Sequence, residues 1–198
     1  MRNYNIIITG VGGQGLLTLG SIIGVACAIR GLDASVAEVH GMSQRGGSVV
    51  VYVKIRSDPG PVMPVGGADH MLALELLEAA RYVYYVKRGG YVTVNDFIWP
   101  PPLFVYPSRD QLISEMRNRE VKLHVVKAND MSVNIIGSPV SANIALLGYA
   151  LAIDRSLLEL LTIEAVEKAL EERFKGRVLE LNKSLLKIAF EEGLKLGE

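Results

Sequence analysis

The stretch Asn5-Ile6-Ile7-Ile8-Thr9-Gly10-Val11-Gly12-Gly13-Gln14-Gly15 decides how the rest of the chain is read. Asn5 to Thr9 is rich in β-branched residues and reads as a strand. The glycines read as a turn, and the apolar run Leu16 to Arg30 as a helix that Gly31 closes. Gly10 to Gly15 satisfies G-x-G-x-x-G after a strand and at the opening of a helix, where free backbone N–H groups and the helix dipole favour an anion. A phosphate or diphosphate is the natural ligand of such a turn. The plainer reading is that the glycines only permit a tight turn and close helix–strand packing.

Outward from this unit, Ser35 to Val39 reads as a second strand reached by a right-handed crossover, which predicts a parallel sheet. After the loop Gly41 to Gly47, the β-branched segment Ser48 to Arg56 arrives with no intervening helix, so at least one antiparallel pair is expected. Ala68 to Leu74 reads as a strand and Glu75 to Val86 as a helix stopped by Gly89-Gly90. Then come a strand Tyr91 to Asn95, a polar helix Ser108 to Asn118, a strand Val121 to Lys127 and a buried helix Val140 to Ile153 opened by Pro139. The fold class is therefore α/β, a three-layer Rossmann-like domain with a mixed, mostly parallel sheet over residues 1–150. Residues 151–198 form a helical C-terminal extension of the same domain, with 18 charged residues in 48 against 24 in the preceding 150. Thr162 is placed to cap a helix carrying Ile163, Val166, Leu170 and Phe174, and Leu181, Leu185, Ile188 and Ala189 mark a second stripe. Each stripe needs a cover, either the α/β core or another subunit.

Composition narrows the function. Lys and Arg together number 21, as do Asp and Glu, so the net charge is zero and no basic field exists to attract nucleic acid. Cys27 is the single cysteine, which excludes an internal disulfide, a thiolate-held zinc and a Cys-ligated iron–sulfur cluster in this chain. His40, His70 and His124 have no neighbours at metal-ligand spacing, so no metal site is expected. The N-terminal segment is far short of a signal h-region or a membrane span, so a cytoplasmic protein with no membrane partner is expected.

The second loop, Gly41-Met42-Ser43-Gln44-Arg45-Gly46-Gly47, combines backbone freedom with donors and one cation. Folded beside the first loop, it completes a polar, anion-friendly cleft. Glu38, 23 residues after Gly15, lies close to where a dinucleotide-binding fold places the acid that holds a ribose. That keeps a self-sufficient NAD(P)-binding oxidoreductase open as an alternative. Against it, a strand follows the second loop where a helix and a third parallel strand would continue such a fold. A third alternative is a purely structural partner whose glycine loops touch protein. Asn143 could fix the start of its helix or face the site. Trp99-Pro100-Pro101-Pro102 is a stiff loop or a docking element.

Glycine loop Gly10 to Gly15, the run Glu38 to Ser48, Gly67-Ala68-Asp69 with Ala73-Leu74-Glu75, and Asn95 occur in the order found in the gamma components of the 2-oxoacid:ferredoxin oxidoreductases, which this chain resembles from residue 5 to about 150. Its length, helical tail and lack of a ferredoxin cysteine pattern are most similar to the small subunits of the indolepyruvate (arylpyruvate) branch. Gamma subunits serving pyruvate, 2-oxoglutarate or 2-oxoisovalerate carry the same motifs. The resemblance implies an enzyme complex that decarboxylates a 2-oxoacid to an acyl-coenzyme A and reduces ferredoxin. It also implies that thiamine diphosphate, magnesium and iron–sulfur clusters sit on a larger partner subunit, that coenzyme A is a co-substrate, and that this chain has no catalytic residue or cofactor of its own. Gly12, Gly13, Gln14, Gly15, Ser43, Gln44, Arg45 and Gly46 are the expected contacts to coenzyme A phosphates or to the facing subunit.

Overall fold

The computed structural model describes residues 3–41, 46–56, 60, 62–100 and 105–196. A six-stranded sheet forms its centre, built from β1 (Tyr4–Val11), β2 (Ala34–His40), β3 (Ser48–Ile55), β4 (Ala68–Ala73), β5 (Val86–Asn95) and β6 (Lys122–Val126) in the order β2-β3-β1-β4-β5-β6. Neighbours from β1 to β6 through β4 and β5 are parallel, whereas β3 is antiparallel to both β1 and β2. Five strands thus share one direction and only β3 is reversed, the mixed, mostly parallel sheet read from the sequence. Ile6, Ile7 and Ile8 of β1 are all fully buried because both faces of the sheet are covered, which explains the unbroken apolar run.

Strand alternation sends Ile6, Ile8, Val51, Val53 and Leu72 to one face and Ile7, Val50, Tyr52 and Met71 to the other. The second face is covered by α2 (Leu76–Tyr82) and α3 (Arg109–Arg117). Ser108 and Gln111 form a reciprocal capping box at the start of α3, which fixes the polar helix where the sequence predicts it. The first face receives α1 (Leu16–Ile29), α4 (Ala128–Ile136), α5 (Ala142–Ile153), α6 (Arg155–Leu161), α7 (Ile163–Arg173) and α8 (Gly176–Leu194). Leu157, Leu161, Val166, Leu170, Leu185 and Leu186 join the same buried cluster as Ile6 and Ile8, so the stripes of the tail cover this chain's own core. Along α8 the buried face runs through Asn182, Leu185, Leu186 and Ala189, and Ile188 is 37% exposed.

Two elements correct the sequence reading. The pair Gly89-Gly90 does not stop the helix before it. A 3-10 turn at Val83–Tyr85 ends that helix, and β5 already begins at Val86 and runs through both glycines. The ladder to β4 shifts register between Ala68 and His70, and a side chain at Gly90 would meet the Asp69 carbonyl oxygen at 3.0 Å. The glycine pair therefore belongs to a bulge in which two backbones approach closely. Helix α4 was not expected, and α6 is a separate short helix at the start of the expected helical extension. Both are short, and α6 is started by Asp154, whose carboxylate accepts from the N–H groups of Ser156 and Leu157.

Candidate functional site

The glycine loop sits at the edge of the sheet where the parallel strands end. Gly15 is the N-cap of α1 in a left-handed conformation, φ 76° and ψ 32°. The amides of Leu16, Leu17 and Thr18 that follow lie in the first turn, where a helix has no internal acceptors for them. The Gly12 N–H donates to the Gly47 carbonyl oxygen at 2.9 Å, and Val11 pairs with Ser48 in the β1–β3 ladder. The end of the second glycine loop is thereby pinned against the first. Ser43, Gln44 and Arg45 lie outside the described residues; Gly46, with φ 75°, lies immediately before the pinned Gly47.

Two clefts flank the loop. One, of ≈ 350 Å³, is lined by Gly12, Gly13 and Gly15, the first turn of α1, Glu38 and His40. The other, of ≈ 200 Å³, is more apolar and lies between Gly13, Phe97, Trp99, Pro139 and Val140. Leu17, Trp99 and Val140, around the rims of these clefts, are 50%, 50% and 71% exposed. Among the described residues no cluster of His, Cys, Asp and Glu could hold a metal ion.

Beneath the clefts is a belt of amide groups, and it engages two of the expected contact residues, Gln14 and Gly12. Gln14, which lines the second cleft, is also held by this frame: its Oε1 accepts from the Val11 N–H at 2.7 Å and its Nε2 donates to the Leu74 carbonyl at 3.1 Å. The backbone N–H of Gly12 is likewise spent on Gly47. Leu74 also accepts from Asn95 Nδ2 at 3.3 Å, and Asn95 exchanges hydrogen bonds with Asn129 through its Nδ2 at 3.0 Å and its Oδ1 at 3.2 Å. Asn143 reaches from α5 to the Gly15 carbonyl. These amides tie the ends of β1, β4 and β5 and the starts of α1, α4 and α5 into one frame. Asn129 is a member that the sequence reading missed. Its signal was weak, a single polar residue after the last strand.

Glu75, fully buried at the end of β4, caps α2 by accepting from the Glu78 N–H at 2.7 Å, and its other oxygen accepts from the Trp99 N–H at 3.2 Å. Burial pushes its carboxyl above the usual range, and these N–H donors oppose that rise. It positions Trp99 at the rim. Cys27 is fully buried in α1, where burial pushes its thiol up to about 11, an inert side chain at neutral pH.

A reversed β3 also decides how Glu38 relates to the loop. Because β3 lies between β1 and β2, the strand that carries Glu38 stands two strand spacings, roughly 10 Å, from β1, where a dinucleotide fold has one. The carboxylate lines the cleft but is displaced from the position of a ribose-holding acid.

The sequence of residues 5–192 matches the family model described as pyruvate ferredoxin/flavodoxin oxidoreductase. The chain belongs to this family. It is 36% identical over 195 residues to the indolepyruvate oxidoreductase subunit IorB of Archaeoglobus fulgidus, covering 96% of this chain and 95% of that one. It is 27% identical over 186 residues to the pyruvate/ketoisovalerate oxidoreductases common subunit gamma of Pyrococcus furiosus, covering 92% and 93%. The crystal structure of a keto/oxoacid ferredoxin oxidoreductase gamma subunit from Geobacter sulfurreducens superposes with a TM-score of 0.74 at 26% identity, over 97% of this chain and 99% of that one. The family match extends well into the helical tail, in keeping with the shared core of α6 to α8 with the sheet.

Proposed function

We propose that this chain is the accessory subunit of a 2-oxoacid:ferredoxin oxidoreductase that acts on indolepyruvate or a related arylpyruvate. The observation that carries the reading is 36% identity to an indolepyruvate oxidoreductase subunit across 96% of the chain. The larger partner subunit supplies thiamine diphosphate, magnesium and the iron–sulfur clusters, and ferredoxin accepts the electrons. The complex works in the cytoplasm; among the described residues no helix is long and apolar enough to cross a membrane.

Coenzyme A enters at the glycine-loop edge. The first-turn amides of α1 and the open backbone at Gly13 and Gly15 suit its phosphates, since each such dipole-aligned anion gains about 0.3–1 kcal/mol before direct hydrogen bonds are counted. Ser43, Gln44, Arg45 and Gly46 of the second loop are the further contacts to these phosphates or to the facing subunit. Gln14 and the Gly12 amide hold the loop in shape at the walls of the two clefts. The exposed Leu17, Trp99 and Val140 meet the partner subunit. The displaced Glu38 argues against the NAD(P) alternative.

Anaerobic affinity purification of the chain from its native cells tests this reading. A brown, thiamine-containing partner and coenzyme A-dependent indolepyruvate oxidation in the eluate are expected. A colourless chain that comes down alone and binds NAD(P) tightly would overturn it. Arg45→Ala in the assembled enzyme should raise the Michaelis constant for coenzyme A, and an unchanged value removes Arg45 from the site.

A further inference from the structure

The opposite edge of the sheet, where the parallel strands begin, holds a larger cleft of ≈ 790 Å³. β1 spans the sheet from Tyr4 at this cleft to Val11 at the glycine loop, so the two edges are roughly 25 Å apart. The volume falls in the range of small-molecule sites. Nothing in the proposed function above uses it.

Its charge is unevenly satisfied. Three carboxylates line it, and each is already engaged. Asp69 accepts from the Lys87 ammonium and from the Asn5 N–H at 2.8 Å. Asp154 accepts from the Tyr4 hydroxyl, from His70 Nδ1 at 3.2 Å and from the N–H groups of Ser156 and Leu157. Glu159 takes the Arg155 guanidinium at 2.9 Å. Four cations face the same space, Arg30, Arg56, Lys87 and Lys122. Among the described residues only Lys87 has a carboxylate within 4.0 Å.

Arg30 and Lys122 are oriented without being neutralised. Arg30 donates to the carbonyl oxygens of Leu160 and Glu159 at 3.3 and 3.5 Å. Lys122 lies over the Tyr91 ring, 4.4 Å from its centroid, and donates to that residue's hydroxyl at 3.1 Å. A carbonyl or a ring face fixes the direction of a cation but leaves its charge in place. Arg56 ends β3 with φ 55°, a backbone state that a side chain rarely adopts and that the fold maintains at the wall of the cleft. Between them, the bulge is open only at Gly89, where no atom lies within 4 Å of where a side chain would start and whose N–H donates to the Glu120 carbonyl at 2.8 Å.

Geometry selects the ligand. β3 and β6 are four strands apart and Lys122 is level with Val53, three residues from Arg56, which separates the backbones of Arg56 and Lys122 by roughly 21 Å. A single phosphate reaches both only with each side chain at full stretch, whereas a chain of phosphates meets both without that demand. We propose that this cleft binds a polyphosphate-bearing anion, with Arg30, Arg56 and Lys122 as its charge partners and Gly89 as the point of closest backbone approach.

The test is calorimetric titration of the full chain with inorganic tripolyphosphate and, separately, with ATP. Saturable one-to-one binding is expected, weakened at least tenfold in the variant carrying both Arg56→Gln and Lys122→Gln. Arg109→Gln, a cation paired with Asp96 at the other edge, serves as a charge control and should leave the affinity unchanged. Equal affinity for the two probes assigns recognition to the phosphate chain, and a tenfold preference for ATP adds the nucleoside; either supports the proposal. Absence of saturable binding, or equal binding by a double variant whose thermal melt matches the parent, overturns it. Protection of Lys122 from acylation only in the assembled enzyme, with neither probe bound, also overturns it and makes the cleft a protein interface.

Discussion

Asn143 Nδ2 donates to the carbonyl oxygen of Gly15 at 3.1 Å, joining positions 128 residues apart and clamping the start of α5 to the start of α1. The same approach leaves no room at Gly15, where a Cβ would stand 2.7 Å from that nitrogen. Gly15→Ala therefore meets both a left-handed backbone and a clash, a combined cost of about 2–3 kcal/mol. In a chain of this size the melting temperature should fall by about 4–10 °C. Asn143→Ala relieves the clash, so the double variant should lose less than the sum of the two single changes, as a double-mutant cycle by thermal melting would read.

Gln14 should behave as a structural residue. Gln14→Ala removes partners from the buried Val11 N–H and the Leu74 carbonyl, at a cost of about 1–3 kcal/mol. Denaturant titration should register that loss. The Michaelis constant for coenzyme A in the assembled enzyme should stay within about twofold; a tenfold rise would return Gln14 to the ligand.

Exposed apolar residues beside the glycine loop should control assembly. Leu17→Asp and Val140→Asp place a charge on side chains that are 50% and 71% exposed, so the chain's own stability should change by no more than about 0.5 kcal/mol. Co-purification of the partner subunit should drop sharply for both. Unimpaired assembly would move the interface elsewhere.

Acid stability should depend on Asp154. Burial pushes its carboxyl up, but hydrogen bonds from His70 and Tyr4 outweigh burial and hold it below the usual carboxylate range. A carboxyl depressed in the folded state contributes stability above its unfolded value of about 4, and loses it as the pH falls through the folded one. Asp154→Ala should cost about 1–3 kcal/mol at pH 7 because the buried Tyr4 hydroxyl loses its acceptor. It should also flatten the pH dependence of unfolding below about pH 4, where the parent protein declines.

The fold was legible wherever pattern and punctuation agreed. The unbroken Ile6-Ile7-Ile8 run, the turn after it and the direct passage from the second loop into Ser48 were enough to read a parallel core with a reversed strand. Gly89-Gly90 misled because a glycine pair after a helical pattern has the same appearance whether it ends a helix or opens a bulge. Only the neighbouring strand, brought against Asp69 by tertiary structure, distinguishes the two. At the candidate site, the sequence marked the loop but could not distribute its amides. Gln14 and the Gly12 N–H are of the right type for a phosphate, and the structure uses them on Leu74, Val11 and Gly47. Asn129 and the far-edge cations are assembled from strand ends remote in sequence, and no local spacing announces them.

Because β3 returns directly from β2, the segment between them is the tip of a hairpin, whereas a parallel strand would have required a crossover helix spanning the sheet. Residues can be added to or removed from a hairpin tip without moving the strands that carry it. A connection between adjacent antiparallel strands is thus free to vary in length and chemistry while the scaffold that carries it stays the same, so relatives can diverge here without rebuilding their cores.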